Sequence, residues 1–427
     1  MAPVTPSFRQ ALPVWLKVGL LGFGGPAGQI ALLHREVVDR RGWIDEARFQ
    51  HALSFCMLLP GPEAQQLATY LGWLMHGVRG GLAAGLLFVL PGFALIVALS
   101  AAYVTLGQAP AFQAAMLGVK AAVVAIVLQA VVRVAKKSLK SRALALVAAF
   151  AFVAMALFEA PFPLVVLAAG LAGALLARGR GEGPAPAAPA DWRATGRAVL
   201  VWGAAWLVPV ALVALAFGPD SPVGRMGLFF SWTSVVTFGG AYAVLAYVAQ
   251  AAVERFGWLS AGQMLDGLGL AETTPGPLIL VLVFTAFVGA WQAAPEGWAW
   301  GWALAASTVT GWAIFAPSFL WIFAGAPHVE RLRNAARLTG ALRWVSAAVV
   351  GVIASLGWWF ALRLLFAEQA PWGPFGWTGP ALPSFRPAAA ALVALAMVAT
   401  FGLRLGVVWT ILLCAAAGWA LGAVGLA

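Results

Sequence analysis

Pro-Gly-Pro occurs twice in this chain, as Pro60-Gly61-Pro62 and as Pro275-Gly276-Pro277, each time inside a long apolar stretch. Proline lacks the backbone donor that a helix needs and glycine tolerates an open backbone, so each triplet predicts an interrupted helix. Freed backbone groups in such a stretch need protein or water as partners. Because the N-terminus of a half-helix carries partial positive charge, the paired breaks predict a site for a small anion. A pair of packing kinks is the alternative.

Two further motifs repeat in the same order as Pro-Gly-Pro. Phe23-Gly24-Gly25 recurs as Phe238-Gly239-Gly240, and Gly42-Trp43 recurs as Gly257-Trp258. Each copy lies 215 residues after its counterpart, as Pro275 does after Pro60. Pro91-Gly92-Phe93 pairs more loosely with Pro317-Ser318-Phe319, 226 residues later, so the second copy has an insertion of about eleven residues in a loop. The register of three motifs indicates an internal duplication.

Charged side chains close to these breaks are candidates for chemistry. Glu63 follows Pro62 and Glu272 precedes Thr273-Thr274-Pro275, so either carboxyl is a candidate carrier of a coupling proton. Capping of a half-helix is the alternative for both. Lys120 lies in the middle of an apolar run, where a charge marks a counter-ion, a pathway or a snorkelling side chain.

Neutral and basic groups complete the candidate site. Gly24, Gly25, Gly239 and Gly240 expose backbone, and hydrogen-bond donors close to the breaks are fit for a desolvated oxyanion: Gln65, Gln66, Thr69, Thr237, Thr273 and Thr274. Arg40, Arg41 and Arg255 lie beside the Gly-Trp pairs and are candidates for a basic vestibule, with interfacial anchoring and pairing with Glu36, Asp39 or Glu254 as the alternative. We expect no catalytic residues, no cofactor and no metal, since nucleophile motifs are missing and His34, His51, His76 and His328 are dispersed.

The elements that must hold these residues are helices in a membrane. Of the 427 residues 62% are hydrophobic and 10% charged, against roughly 25% charged in soluble domains. Continuous apolar runs of membrane-spanning length follow one another. The fold class is therefore an all-α polytopic membrane protein with about 10 to 13 transmembrane helices. We expect spans near 8–33, 49–75, 80–105, 111–132, 142–158, 162–177, 196–217, 226–250, 264–290, 297–324, 341–366, 386–403 and 405–425.

A linker rich in Gly, Ala and Pro divides the chain near its middle. It predicts an N-terminal repeat at 1–177, a cytoplasmic linker at 178–195 and a C-terminal repeat at 196–427. The net charge of +11 falls in short basic clusters between apolar runs, which is typical of a membrane topology signal and not of nucleic-acid binding. With these clusters in the cytoplasm, the N-terminus is inside. Seven crossings then separate equivalent spans, which predicts inverted-topology repeats with interrupted helices.

These motifs resemble the chromate ion transporter family in its long, two-repeat form. The resemblance rests on Phe23 to Pro26, Arg41-Gly42-Trp43, the run from Leu59 to Trp73, and Phe88 to Gly92, with Phe238 to Gly240, Gly257-Trp258 and Ala271 to Pro277 in the second half. Membership implies export of chromate, a dianion that mimics sulfate, from the bacterial cytoplasm, driven by the proton-motive force. It makes both Gly-Gly breaks, both Pro-Gly-Pro breaks, Glu63 and Glu272 candidate site residues.

The function expected from the sequence is therefore a secondary transporter of chromate, sulfate or a related oxyanion, working by proton coupling or anion exchange. It would alternate access around a midplane site between the Pro-Gly-Pro breaks, in the bacterial inner membrane. The expected partners are the oxyanion, the lipid bilayer and protons, with a homodimer left open and no nucleic acid. A passive anion channel and an intramembrane enzyme are the alternatives.

Overall fold

The fold is a set of helices in a computed structural model that describes residues 5–177, 192–236, 241–328, 336–372 and 377–426. The predicted site residues Thr237, Gly239 and Gly240 lie outside these ranges, as does most of the predicted linker. Within these ranges, eight helices precede the second copy of the motifs: α1 Phe8–Leu21, α2 Gly25–His34, α3 Glu46–Cys56, α4 Glu63–Leu106, α5 Pro110–Ser138, α6 Arg142–Phe158, α7 Phe162–Leu176 and α8 Trp192–Phe217.

The second half repeats this order. Its helices are α9 Pro222–Val236, α10 Ala241–Gln250, α11 Ala261–Glu272, α12 Val281–Ala293, α13 Ala299–Gly325, α14 Ala336–Leu365, α15 Pro387–Met397 and α16 Val407–Ala423. A short antiparallel hairpin, β1 Gln369–Trp372 with β2 Trp377–Pro380, joins α14 to α15. Helix α1 corresponds to α9, α2 to α10 and α3 to α11, whereas α8 connects the two halves.

The bend in α4 explains the difference in spacing between the halves. At His76 and Gly77 the backbone leaves the helical region, with φ of −140° and 59°, so α4 consists of two arms at 63–75 and 78–106. The second half has two separate helices here, α12 and α13, joined by a loop at 294–298. The predicted insertion in the second copy therefore lies at this connection.

Within the described ranges, the breaks are present where the motifs predict them. Helix α1 ends at Leu21 and α2 begins at Gly25, and a gap at 57–62 separates α3 from α4. Gly61 and Gly276 both have positive φ angles, of 113° and 102°. A residue with a side chain would be strained in this conformation. Ser260 caps α11 in the same way as Asp45, its counterpart 215 residues earlier, caps α3. The predicted spans 49–75 and 264–290 are thus each two helices.

Hydropathy and exposure agree with a membrane setting. In the part of the chain that the structure describes, five helices are long and apolar enough to cross a bilayer, and several shorter apolar helices accompany them. Large apolar side chains point outward on α6, α7 and α8, with Phe150 74%, Leu175 84% and Leu215 77% exposed. Water would not tolerate such a surface but hydrocarbon does. The prediction of an all-α polytopic membrane protein is confirmed.

The chain forms two compact units, and neither coincides with a sequence half. Unit 1 contains Met1–Ala98, Leu176–Ala241 and Thr274–Gly340. Unit 2 contains Leu99–Leu175, Tyr242–Thr273 and Ala341–Ala427. Each unit therefore combines segments of both repeats, and both Pro-Gly-Pro breaks belong to unit 1.

Within unit 1, two equivalent helices pack antiparallel. The second arm of α4 crosses α13 with Gly81 against Phe323, Gly85 against Phe319 and Phe93 against Gly311. As the residue number rises along α4, the number of its partner falls along α13. Gly311 is the counterpart of Gly85, and Phe319 is the counterpart of Phe93, since each lies 226 residues later. The same glycine–phenylalanine contact is thus made twice between helices of opposite direction, as inverted repeats require.

Candidate functional site

The second Pro-Gly-Pro break packs against two motifs of the first half. The backbone N–H of Gly276 donates to the carbonyl of Gly22 over 3.0 Å, which joins this break to the first Gly-Gly break. The Pro275 carbonyl lies so close to Gly92 that a Cβ at position 92 would overlap it. Gly92 is the centre of Pro91-Gly92-Phe93, so its lack of a side chain allows the broken segment to reach α4.

The side chain of Gln29 connects the first Gly-Gly break to the second Pro-Gly-Pro break. Its Nε2 donates to the carbonyl of Gly22 over 3.1 Å and also to the carbonyl of Gly276. The side chain is 1% exposed, so these bonds replace those that water would make. Gln29 therefore holds together backbone groups that the interrupted helices leave without an internal partner.

The first Pro-Gly-Pro break makes the reciprocal contact. A Cβ at Gly61 would lie 3.8 Å from the Oγ of Ser318, the residue that occupies the position of Gly92 in the second half. Gln66 donates from Nε2 to the Pro60 carbonyl over 2.6 Å, and Gln65 donates to the carbonyl of Phe315 over 3.3 Å. Each break therefore packs against the Pro-Gly-Phe or Pro-Ser-Phe motif of the other repeat.

Polar atoms remain without partners in this part of unit 1. The Oε1 atoms of Gln65 and Gln66 and the Oγ of Ser318 are buried and have no hydrogen-bond partner within the described ranges. Because the Nε2 groups of Gln65 and Gln66 already donate to carbonyls, their unused atoms are acceptors, and the Ser318 hydroxyl is the unused donor. Buried polar groups of this kind are normally satisfied, so the breaks present unused capacity to bind a polar ligand.

The remaining predicted residues at the breaks divide into open and satisfied groups. Gly24 and Gly25 have φ of 86° and 69°, and none of the described atoms lies within 4 Å of a Cβ built on either. Thr273 donates its hydroxyl to the carbonyl of Leu270 over 2.8 Å, so it closes the end of α11. Thr274 is buried at 3% exposure. Pro62 and Pro277 precede helical turns, where the carbonyl of Pro62 accepts from the Gln66 N–H and that of Pro277 from the Leu280 N–H.

Lys120 is paired inside unit 2. Its Nζ lies 3.3 Å from the Oδ2 of Asp266, which is on α11 and is 5% exposed at its side chain. The hydroxyl of Tyr103 donates to the same oxygen over 2.9 Å. The sequence singled out Lys120, and the structure identifies Asp266 as its counter-ion.

The two predicted proton carriers have different surroundings. Glu272, at the end of α11, accepts a hydrogen bond from the Tyr242 hydroxyl over 2.6 Å and is 6% exposed. Glu63 is the first residue of α4 and is half-buried, a position in which a carboxylate stabilises the N-terminus of a helix. They are not equivalent residues, because the counterpart of Glu63 is Leu278 and that of Glu272 is Met57.

Arg40 and Arg41 bind a common carboxylate. Glu36, fully buried and beyond the first predicted span, accepts hydrogen bonds from Lys17 over 2.9 Å, from Arg40 over 2.8 Å and from Arg41. Burial alone raises the pKa of Glu36, but the hydrogen bonds from Lys17 and Arg41 outweigh it and hold that pKa below its ordinary value. Arg40 and Arg41 thus pair with Glu36, as the alternative to a vestibule predicts, while three cations on one carboxylate leave this group with a net positive charge.

Arg255 lies in a different environment. It lines a cavity of about 330 Å³ in unit 2 together with Glu159 and Glu254. Glu254 is paired with Arg363 over 3.0 Å, while the guanidinium of Arg255 lies over the ring of Phe256. Two carboxylates therefore offset the basic residues here, and the positive vestibule predicted from Arg255 is weaker than the one from Arg40 and Arg41.

A larger cavity in unit 1 does not fit an anion. It has a volume of about 670 Å³ and lies along the crossing of α4 with α13, next to Phe93 and Phe319. Gln65 and Thr308 supply the polar side chains among walls that are otherwise apolar except for tryptophan. A dianion would lose its hydration there without compensating hydrogen bonds, so we exclude this cavity as an anion site.

Sequence reasoning missed Gln29, Tyr103, Asp266 and Ser318. Asp266 was detectable as the one acidic residue within the run 255–271, and Gln29 as a lone amide among apolar residues. Their partners were not detectable, since Asp266 is 146 residues from Lys120 and Gln29 is 247 residues from Gly276. Within the described ranges, no group of three His, Cys, Asp or Glu side chains is placed to hold a metal ion.

Comparison with known proteins identifies the family. The family model described as chromate transporter matches residues 9–174 and 224–419, one segment on each side of the central linker. The chain is 36% identical to the chromate transport protein of Pseudomonas aeruginosa over 86% of this chain and 84% of that protein. It is 31% identical to a probable chromate transport protein of Synechococcus elongatus, over 82% and 83%, and 29% identical to the chromate transport protein of Cupriavidus metallidurans, over 82% and 81%. No solved structure matches the chain. Two copies of the family's sequence pattern, on a duplicated set of interrupted membrane helices, mean that this chain belongs to the chromate transporter family.

Proposed function

We propose that this chain exports chromate, or sulfate or a related oxyanion, across the bacterial inner membrane as a secondary transporter. The observation that carries the proposal is the reciprocal packing of the two Pro-Gly-Pro breaks in unit 1, with the buried Ser318 hydroxyl beside them unbonded within the described ranges. The anion would bind between these breaks. The names of the relatives supply the substrate class.

The breaks suit an anion that must be both bound and released. The Ser318 hydroxyl and backbone N–H groups can donate to an oxyanion without the permanent pairing that a nearby cation would impose. The open backbone at Gly24 and Gly25 lies at the N-terminus of α2, where the helix dipole favours negative charge. The cluster of Lys17, Arg40 and Arg41 around Glu36 raises the local concentration of anions at its side of the protein.

Alternating access is the mechanism we propose. The antiparallel crossing of equivalent helices in unit 1 gives both repeats the same contacts, so a conformation open to one side has a counterpart open to the other. An inside-negative potential favours export of a dianion by about 2.3 kcal/mol per charge for each 100 mV. Coupling uses the proton-motive force or anion exchange, and the sequence offers Glu63 and Glu272 as candidate proton carriers. The N-terminus lies in the cytoplasm.

The test is counterflow in proteoliposomes that contain the purified chain. Vesicles loaded with unlabelled chromate or sulfate should accumulate the labelled anion from outside transiently, and empty vesicles of the same lipid should not. Failure of both anions to exchange would contradict the proposal. A passive channel, the second candidate, would accumulate the label only through the diffusion potential that the loaded anion sets up. Equal potassium on both sides with valinomycin holds the potential at zero, which should abolish accumulation through a channel and leave counterflow by a transporter.

A further inference from the structure

Asp266 is a buried acid that binds a cation through only one of its oxygens. Lys120 from α5 and the Tyr103 hydroxyl from α4 both approach Oδ2, over 3.3 and 2.9 Å. The Oδ1 atom is buried and has no hydrogen-bond partner within the described ranges. A buried carboxylate oxygen without a partner is costly in the charged state, and the cost disappears when that oxygen carries a proton.

Few other charges surround this pair. Helix α11 packs against α5 and α16, and α16 contains no acidic or basic residue. The titratable group on α16, Cys414, lies beside Gly118 on α5. Arg133, further along α5, acts on Glu272 at the other end of α11. Within the described ranges, Lys120 and Tyr103 are therefore the titratable groups that face Asp266.

Lys120 is the more accessible member of the pair. Gly262, in the first turn of α11, has no side chain, and a Cβ there would lie 3.5 Å from the Nζ of Lys120. Lys120 retains 23% exposure at its side chain, whereas Asp266 retains 5%. An anion that approaches the first turn of α11 would therefore meet the ammonium group before it meets the carboxylate.

We propose that Lys120 and Asp266 form a proton-gated binding position for a dianion in unit 2. When Asp266 is ionised, its charge neutralises Lys120 and repels a second anion. When a proton from the water phase binds Oδ1, Asp266 becomes neutral, Lys120 keeps its own proton, and the unbalanced ammonium charge attracts the dianion. The inference rests on the proposed function for its substrate and adds the residue that couples the anion to a proton.

The sign of the coupling follows from this arrangement. Because the proton favours the anion, the anion favours the proton by the same factor, so the two bind and move together. One dianion with one proton carries one net negative charge. An inside-negative potential therefore drives the pair outward, whereas a pH gradient that is alkaline inside drives it inward. An exchanger in which protons and anions compete would respond to the pH gradient in the opposite direction.

Asp266 suits this role better than Glu272. A proton on Glu272 changes a hydrogen bond with Tyr242, because Glu272 forms no ion pair within the described ranges. A proton on Asp266 changes the net charge around a lysine. The pair also occurs once in the duplicated chain, since the counterpart of Asp266 is His51 and that of Lys120, at the spacing of 226, is Ser346.

The first experiment measures binding of labelled sulfate to the purified full chain in detergent at a series of pH values. Sulfate is the probe because it stays a dianion across the neutral range, whereas chromate itself takes up a proton there. We expect wild-type affinity to fall by up to about tenfold for each unit of rising pH. Asp266→Asn should bind tightly at every pH, and Lys120→Met weakly at every pH. Asp220→Asn, the same change in an exposed ion pair with Arg225, should match the wild type.

The second experiment separates the two driving forces in proteoliposomes. A potassium gradient with valinomycin sets the potential, and buffers set the pH gradient. Wild-type sulfate uptake should be faster with an inside-positive potential and also with an acidic exterior, whereas Asp266→Asn should respond to the potential alone. If the acidic exterior slows wild-type uptake, or if Asp266→Asn keeps its response to pH, the coupling proposal is wrong.

The outcomes distinguish this inference from the proposed function. A wild-type chain that neither binds nor exchanges chromate or sulfate refutes both. A wild-type chain that transports, with Asp266→Asn unchanged in its pH response, refutes only the role of the pair. If Asp266→Asn does not fold because Lys120 is left unpaired, the double variant Lys120→Met with Asp266→Asn removes both charges. It should bind sulfate weakly and without pH dependence, and a retained pH dependence would overturn the proposal.

Discussion

Gly92 and the carbonyl of Pro275 are in contact, and the contact leaves no room for a single methyl group on Gly92. The two residues come from different repeats: Gly92 lies in Pro91-Gly92-Phe93, and Pro275 lies in Pro275-Gly276-Pro277. Their counterparts, Ser318 and the Pro60-Gly61 segment, approach each other in the same unit. Each Pro-Gly-Pro break therefore packs closely against a helix of the other repeat.

Substitution of Gly92 by Ala should damage the protein more than its size suggests. The added Cβ would overlap a backbone oxygen that cannot move aside like a side chain, so we expect a loss of about 1 to 3 kcal/mol or more. Gly203→Ala is the control, since that helical glycine has open space around it and alanine favours helix. Thermal unfolding in detergent compares the two. Equal melting temperatures would contradict the packing described here.

Gly311→Ala should be rescued by a change in its partner. The new Cβ would meet the ring of Phe93 at 2.7 Å. Phe93→Leu shortens that side chain, so the double variant should recover stability that each single variant loses, by about 0.5 to 3 kcal/mol of coupling. A double-mutant cycle on melting temperature and on counterflow measures this. Strict additivity of the two losses would mean that the helices do not cross at this point.

Gln29→Leu should weaken the contact between the first Gly-Gly break and the second Pro-Gly-Pro break. The leucine keeps the volume but leaves the Gly276 carbonyl without the donor from Gln29, at a cost of about 1 to 3 kcal/mol. Gln29→Glu should be worse, because a carboxylate would face the carbonyls of Gly22 and Gly276. The exposed Gln113→Leu serves as the control. The melting temperature and the rate of sulfate counterflow should both fall in the two Gln29 variants. A stable, active Gln29→Glu would refute the bridging role.

Glu36 should make stability depend on acid pH. Its pKa in the folded protein lies below the ordinary value of 4.5, so its contribution is complete above that value and is lost as the pH falls through the lower folded pKa. Glu36→Gln leaves Lys17, Arg40 and Arg41 without their counter-ion and should cost about 3 kcal/mol at neutral pH. The variant should also lose less stability than the wild type on acidification. Melting curves from neutral to acid pH test this, with the exposed Glu296→Gln as control; parallel curves would exclude the ion-pair role.

The sequence predicts the helices and their breaks well because both signals are local. Long apolar runs predict the spans, and proline with glycine predicts the interruptions at Pro60 to Pro62 and at Pro275 to Pro277. The antiparallel direction of α4 and α13 also agrees with the count of crossings. The mixed composition of the two units was not predictable, because hydropathy contains no information about which helix packs on which.

The candidate site was predictable only in part, because the sequence shows local signals but not which helices pack together. Lys120 stands out since a charge inside an apolar run is expensive, but its partner is chosen by packing between α5 and α11. Asp266 therefore appears only in the folded chain. Thr273 shows the opposite case, since its type suggested ligand binding and its hydroxyl satisfies a local carbonyl instead.

The glycine–phenylalanine contact between α4 and α13 is self-complementary. Gly85 with Phe319 and Phe93 with Gly311 are one contact formed by one pattern of residues, used in both directions. A contact of that kind is isologous, the kind by which identical subunits assemble around a two-fold axis. A polypeptide of half this length, carrying one such glycine and one such phenylalanine, would hold everything needed to build the crossing with a copy of itself inserted in the opposite orientation.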